Sequence, residues 1–171
     1  MRTSYFLFLL VLIAPSFVMA AEDAYEPNDT QGTAYDLSSH ENTWLADITG
    51  LGAAYDDDWY KVTVPAGTGR LSISLLFSDS DGNLDMQFVD TAGTTVASGT
   101  SFSNNELIEI NALDAGDYYI RVYPRGASDT GNSYDLQWTT ISGPIGYPNC
   151  NLDDTIDIRD VICTINAVLA P

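Results

Sequence analysis

Oxygen-bearing side chains recur at informative spacing near the C-terminus. Counting Asn149 as position one, Asn151 falls at three, Asp153 at five, Thr155 at seven, Asp157 at nine and Asp160 at twelve. Carboxylates, amides and a backbone carbonyl at Thr155, so spaced, are the oxygen set of a Ca²⁺ loop leading into a helix. Ile156 at position eight would point inward and brace the loop. The same residues also suit a polar capped turn in front of a helix, and the sequence leaves both readings open. Cys150 and Cys163 flank this loop. Two cysteines with no histidine nearby make a poor zinc site. In an oxidising compartment they are expected to close a disulfide across the loop.

Little in the chain supports catalysis. His40 is the single histidine and sits in the polar stretch Ser38-Ser39-His40-Glu41-Asn42, with no nucleophile motif around it. The run Asp56-Asp57-Asp58 has no sequence neighbour that would raise one carboxyl into an acid-base role. Tyr119 and Tyr123 suit either an exposed sugar- or peptide-binding strip or the second packed face of a sheet. The expectation is a protein that is not an enzyme.

These groups have to be positioned by elements that the hydrophobic pattern makes legible. Leu71, Ile73, Leu75 and Phe77 alternate with Ser72, Ser74 and Leu76, and Leu84, Met86 and Phe88 alternate with Asp85 and Gln87. Tyr118, Ile120 and Val122, then Tyr134, Leu136 and Trp138, repeat the period of two, which puts one side-chain set on a buried face. Turn-forming stretches such as Pro65-Ala66-Gly67-Thr68-Gly69 and Asp79-Ser80-Asp81-Gly82-Asn83 separate the runs. Many short strands joined in this way predict an all-β antiparallel sandwich or barrel over residues 21–141. Residues 142–148, with two prolines and two glycines, read as a linker. Beyond it Ile158, Val161, Ile162, Ile165, Val168 and Leu169 fall at helical spacing, so residues 149–171 form a loop and one amphipathic helix.

The first residues set the compartment. Met1-Arg2, an apolar run from Tyr5 to Ile13 and small residues ending Val18-Met19-Ala20 are the parts of a secretory signal peptide over residues 1–20. The expected location is the periplasm or the medium of a bacterium, with no membrane span after signal removal. Asp and Glu number 24 against 6 Lys and Arg, for a net charge of −18. That field repels nucleic acid and anionic lipid, which drop out as partners. An extracellular protein, a polysaccharide or a separately encoded secreted enzyme remains.

Two resemblances follow from particular residues. Asn149 to Asp160 is similar to one half of a dockerin repeat, in which an Asp at position twelve is habitual. Tyr25-Glu26-Pro27-Asn28-Asp29-Thr30, Asp56-Asp57-Asp58-Trp59-Tyr60-Lys61-Val62, Gly82-Asn83-Leu84-Asp85-Met86 and Gly116-Asp117-Tyr118-Tyr119-Ile120-Arg121-Val122 together resemble the bacterial pre-peptidase C-terminal domain. The likeness runs from about residue 23 to 140 and implies a jelly-roll-like β-sandwich, usually found behind secreted proteases. In collagen-binding relatives the matching positions hold Ca²⁺, which here implies Glu26, Asn28, Asp29 and Asp58 as ligands, with Asp56 as a weaker addition. Read without the resemblance, Glu-Pro-Asn-Asp is equally a turn and Asp58 equally a strand-start residue.

Overall fold

A computed structural model describes residues 23–143. The segment expected to be a signal peptide, nearly all of the expected linker, the C-terminal loop and both cysteines lie outside the described residues.

Among the described residues nine strands form two sheets. They are β1 (Tyr35–Asp36), β2 (Gly52–Ala54), β3 (Asp58–Val64), β4 (Thr68–Leu76), β5 (Leu84–Val89), β6 (Thr95–Gly99), β7 (Glu106–Asn111), β8 (Gly116–Pro124) and β9 (Asn132–Ser142). One sheet has the order β1-β3-β8-β5-β6 and the other β2-β9-β4-β7. Apart from the parallel β1–β3 contact, every pairing is antiparallel. The pairs nest, with β5 on β6, β4 on β7, β3 on β8 and β2 on β9. A long hairpin folded over so that its successive arms change sheet gives this order, which is the jelly roll. The expected all-β sandwich is therefore the fold, and β9 continues through Ser142, where a linker was expected to begin.

The period of two decides what lies between the sheets. Leu71, Ile73 and Leu75 from β4 face Leu84, Met86 and Phe88 from β5, with Ile120 and Val122 from β8 and Leu136 and Trp138 from β9, all essentially inaccessible to solvent. β3 alternates in the same way, and Asp58, Tyr60, Val62 and Val64 point inward. Burial of this apolar area is the main stabilising term. It also carries a polar residue at the mouth of the sandwich, because Asp58 is the first inward position of β3.

The segment before β1 closes that mouth. Tyr25 is buried, with its ring edge-on to Tyr35 at 5.0 Å and to Tyr60 at 5.7 Å. Its hydroxyl lies 2.7 Å from the Leu45 carbonyl and 2.8 Å from the Gly50 carbonyl. Further on, the Trp138 indole donates to the Leu37 carbonyl at 3.1 Å, which holds the turn after β1 against β9. Among the described residues no helix is long and apolar enough to cross a membrane.

Candidate cation site

Residues 23–29 form a strap that is bonded to the sandwich at both ends. Asp23 accepts from the Tyr25 amide with one oxygen and from the Ala53 amide on β2 with the other, each at 2.7 Å. At the far end the Asn28 carbonyl accepts from the Trp59 amide at 2.8 Å. The strap thereby lies across the start of β3. Residues some thirty positions apart in the chain meet there because burial of the Tyr25 ring against Tyr35 and Tyr60 holds the strap in place.

Carboxylate oxygens of Glu26, Asp29 and Asp56 lie within 4.8 Å of one another. An ion held at about 2.4 Å from each of several oxygens sets them at most about 4.8 Å apart, so the separation matches a calcium shell. Glu26 is bonded on one side only. Its Oε2 accepts from the Asn28 amide at 3.0 Å, while Oε1 is buried without a partner. Asn28 is fully buried, and neither atom of its side-chain amide is hydrogen-bonded. Asp58 is also fully buried, and its Oδ1 has no partner. Buried oxygens are ordinarily satisfied, and three orphans on two neighbouring segments need a cause.

Asp58 is held from behind. The Tyr134 hydroxyl donates to its Oδ2 at 2.7 Å, and the Tyr60 and Tyr134 hydroxyls are 2.6 Å apart. This inner pair depends on a glycine. A Cβ on Gly52 would stand 2.3 Å from the Tyr134 ring, so only glycine lets β2 pass over the tyrosine. The chain Tyr60, Tyr134, Asp58 occupies one carboxylate oxygen and leaves the other, Oδ1, without a partner.

Charge accumulates without compensation. Burial pushes the Asp58 carboxyl up to about 8, with Asp23, Glu26 and Asp56 adding to the rise and the Tyr134 hydroxyl opposing it. Burial likewise lifts Glu26 to about 7, and Asp29 and Asp56 push it the same way. Asp56 is raised by burial and then by Asp29 and Asp57. Each shift says that the ionised form is unfavourable here unless a cation is present. Loss of hydration is the dominant cause, followed by mutual repulsion. Sequence neighbours alone suggested no partner that would raise an acid in the Asp56-Asp57-Asp58 run; the fold adds Asp23, Glu26 and Asp29 of the strap to the repulsion that Asp56 and Asp57 exert within the run.

The structure thus brings Glu26, Asn28 and Asp29 to the same place as Asp56 and Asp58, but in a different order of importance from the one expected. Asp56, the weaker candidate, joins Glu26 and Asp29 in the oxygen cluster. Asp58 lies deeper, shared with Tyr134. Asp23 was not singled out and proves to fasten the strap. Its only sequence signal is an acid two residues before the anchoring Tyr25. The C-terminal candidates Asn149, Asn151, Asp153, Thr155, Asp157 and Asp160, and the pair Cys150 and Cys163, lie outside the described residues. His40 is in a turn, its amide donating to the Leu37 carbonyl at 2.9 Å. Tyr119 and Tyr123 stand part-buried on the outer face of β8, whereas Ile120 and Val122 fill the core.

The fold is similar to the solved pre-peptidase C-terminal domain of a collagenase from Bacillus anthracis, at 20% identity over 58% of this chain and 90% of that one, with a TM-score of 0.47. It is also similar to CBM35 from Cellvibrio japonicus Abf62, at 14% identity over 62% of this chain and 84% of that one, with a TM-score of 0.37. No curated protein matches the chain. Residues 56–124, from the loop that carries Asp56 through β3 to the end of β8, match the family model of the bacterial pre-peptidase C-terminal domain.

Proposed function

We propose that this protein is a secreted, non-catalytic binding module whose N-terminal strap is fastened to the sandwich by Ca²⁺. The observation that carries the reading is the set of buried, unpartnered oxygens on Glu26, Asn28 and Asp58 beside the Glu26, Asp29 and Asp56 cluster. Hard oxygen donors with no nitrogen or sulfur among them suit calcium over a transition metal. Glu26, Asn28, Asp29 and Asp56 would hold the ion, with Asp58 as the buried counter-charge. A bound dication supplies positive charge where several acids lose hydration together. The chain's own residues do the rest: Asp23 and Tyr25 place the strap, and Tyr134 orients Asp58.

The non-catalytic part of the reading rests on the family match and on the closure of the site. Asp58 is the most perturbed carboxyl among the described residues, yet it is sealed under the strap and offers no face to a substrate. Its role is structural. The same proposal includes a second Ca²⁺ loop at Asn149, Asn151, Asp153, Thr155, Asp157 and Asp160, closed by a Cys150–Cys163 disulfide. It also includes an extracellular protein or polysaccharide, or a separately encoded secreted enzyme, as the partner.

Calorimetric melting of the mature chain in chelator, in Mg²⁺ and in Ca²⁺ tests the metal. A ligand of the native state raises the melting temperature by mass action. The rise is expected with Ca²⁺ up to about millimolar, the weak limit of extracellular sites, and is expected to shrink in Glu26→Gln. An unchanged melting temperature in Ca²⁺ at that level would sink the proposal.

A further inference from the structure

The outer face of β8 carries a feature unrelated to the strap. Trp59, Arg121 and Gln87 stand opposite one another across β3, β8 and β5, and Tyr123 stands opposite Asp85. The Arg121 guanidinium lies 4.3 Å from the Tyr123 ring centre and 5.7 Å from that of Trp59. One residue beyond the strand, Arg125 lies 3.8 Å from the centre of the Phe102 ring. Aromatic and guanidinium groups therefore alternate along the strip. From Arg121 to Arg125 it covers about 13 Å of extended chain.

Each guanidinium is already neutralised. Arg121 donates to Asp57 at 2.9 Å and to the Gln87 amide oxygen at 3.1 Å. Arg125 meets the buried Asp85 at 3.3 Å and donates to the Thr100 carbonyl at 3.1 Å. The strip is thus a line of rings joined by charge-balanced donors and acceptors. Phe102, at its end, is 78% exposed, the most exposed large hydrophobic among the described residues. Desolvating a bare phenylalanine at a loop tip gains nothing for folding, which makes it a candidate anchor for a partner.

We propose that this strip binds an uncharged polysaccharide. The proposal rests on the binding-module reading and names its partner class. Sugar rings offer apolar C–H faces to stack on aromatic rings, and their hydroxyls both donate and accept, as Asp57, Arg121 and Gln87 require. An anionic polymer meets paired guanidiniums and a chain of net charge −18. A peptide added as a further strand would need a free edge, whereas β8 is flanked by β3 and β5. The alternation along one strand matches a linear chain better than a single sugar.

Affinity electrophoresis of the mature chain tests this in gels containing hydroxyethyl cellulose, xyloglucan or galactomannan, with alginate and gelatin as charged and protein controls. Retardation is expected in at least one neutral gel and in neither control. Phe102→Ala, on an exposed loop, should leave folding intact and weaken retention about tenfold, the usual cost of an aromatic anchor; Tyr123→Ala should do the same. Migration unaffected by all three neutral polymers overturns the proposal. So does retention that both variants leave unchanged, or retention by gelatin or alginate alone. The calcium-linked melting shift, measured on the same preparations, reports the strap separately. Its loss with glycan retention intact refutes only the metal, and the reverse refutes only the strip.

Discussion

Asp58 gives the sharpest test, because its burial has a calculable consequence. In the metal-stripped protein its carboxyl titrates at about 8, against an ordinary value of 3.8. A raised acid binds a proton in the folded state that the unfolded state has released, so stability falls as pH rises between the two values. From about pH 5 to about pH 7 the difference is close to one proton. The slope is then about 1.4 kcal/mol per pH unit, or about 3 kcal/mol in all. For a domain of this size that is a fall of about 10 °C in melting temperature. Glu26 and Asp56 push the same way, more weakly because solvent screens them, and so does Asp85, whose rise on burial is opposed by Arg125. Asp36 and Asp117 are lowered, so their contribution is lost only in stronger acid, outside the window. Calorimetry in chelator across this range is expected to show the fall, and saturating Ca²⁺ should flatten it, since the ion favours the ionised carboxylates. Asp58→Asn keeps an acceptor for Tyr134 and removes the titration. It should melt higher than wild type in chelator near pH 7 and gain less from Ca²⁺. A wild-type chelator profile that is flat or rising from pH 5 to 7, or a slope undiminished in Asp58→Asn, refutes the reasoning.

Tyr134→Phe deletes the hydroxyl between Tyr60 and Asp58 and leaves two buried polar groups unpaired; urea titration should show a loss of about 1–3 kcal/mol. Gly52→Ala drives a methyl into the Tyr134 ring, and overpacking of that kind costs about 1–3 kcal/mol. Its calcium response should fall together with its melting temperature, because the displaced ring is the one that orients Asp58. A chain ending at Gly143 should keep the response of the strap and lose a second, separable one belonging to the loop from Asn149, as isothermal titration would resolve. Thiol titration of the unfolded full chain should find no free thiol at Cys150 or Cys163 until a reductant is added.

Much of the sandwich was legible because a strand writes itself in a period of two. Leu71-Ile73-Leu75, Ile120-Val122 and Leu136-Trp138 each declare a buried face locally, and every one of these residues lies in the core. Turn residues between the runs marked where strands stop, except that Thr68 and Gly69, expected in a turn, open β4. The β7 strand was less visible, since Glu106, Ile108 and Ile110 mix a carboxylate into the inward set. Glu106 is tolerated there because Ser101 donates to it through both amide and hydroxyl.

The sequence by itself determined the all-β class, the inward faces of β4, β5, β8 and β9 and the acids worth suspecting. Only the tertiary structure decided which strands pair, because the nesting of β2 with β9 and β3 with β8 depends on contacts far apart along the chain. It also decided the order of the acids at the candidate cation site. Composition ranks Asp56 and Asp58 alike, but Asp58 is the first inward position of β3 and goes under the sheet to Tyr134, while Asp56 stays in the loop and meets Glu26 and Asp29. Three oxygens became orphans through packing, where the strap anchored by Tyr25 meets the start of β3. Such a loss of hydration belongs to the assembled fold, and no local run of residues encodes it.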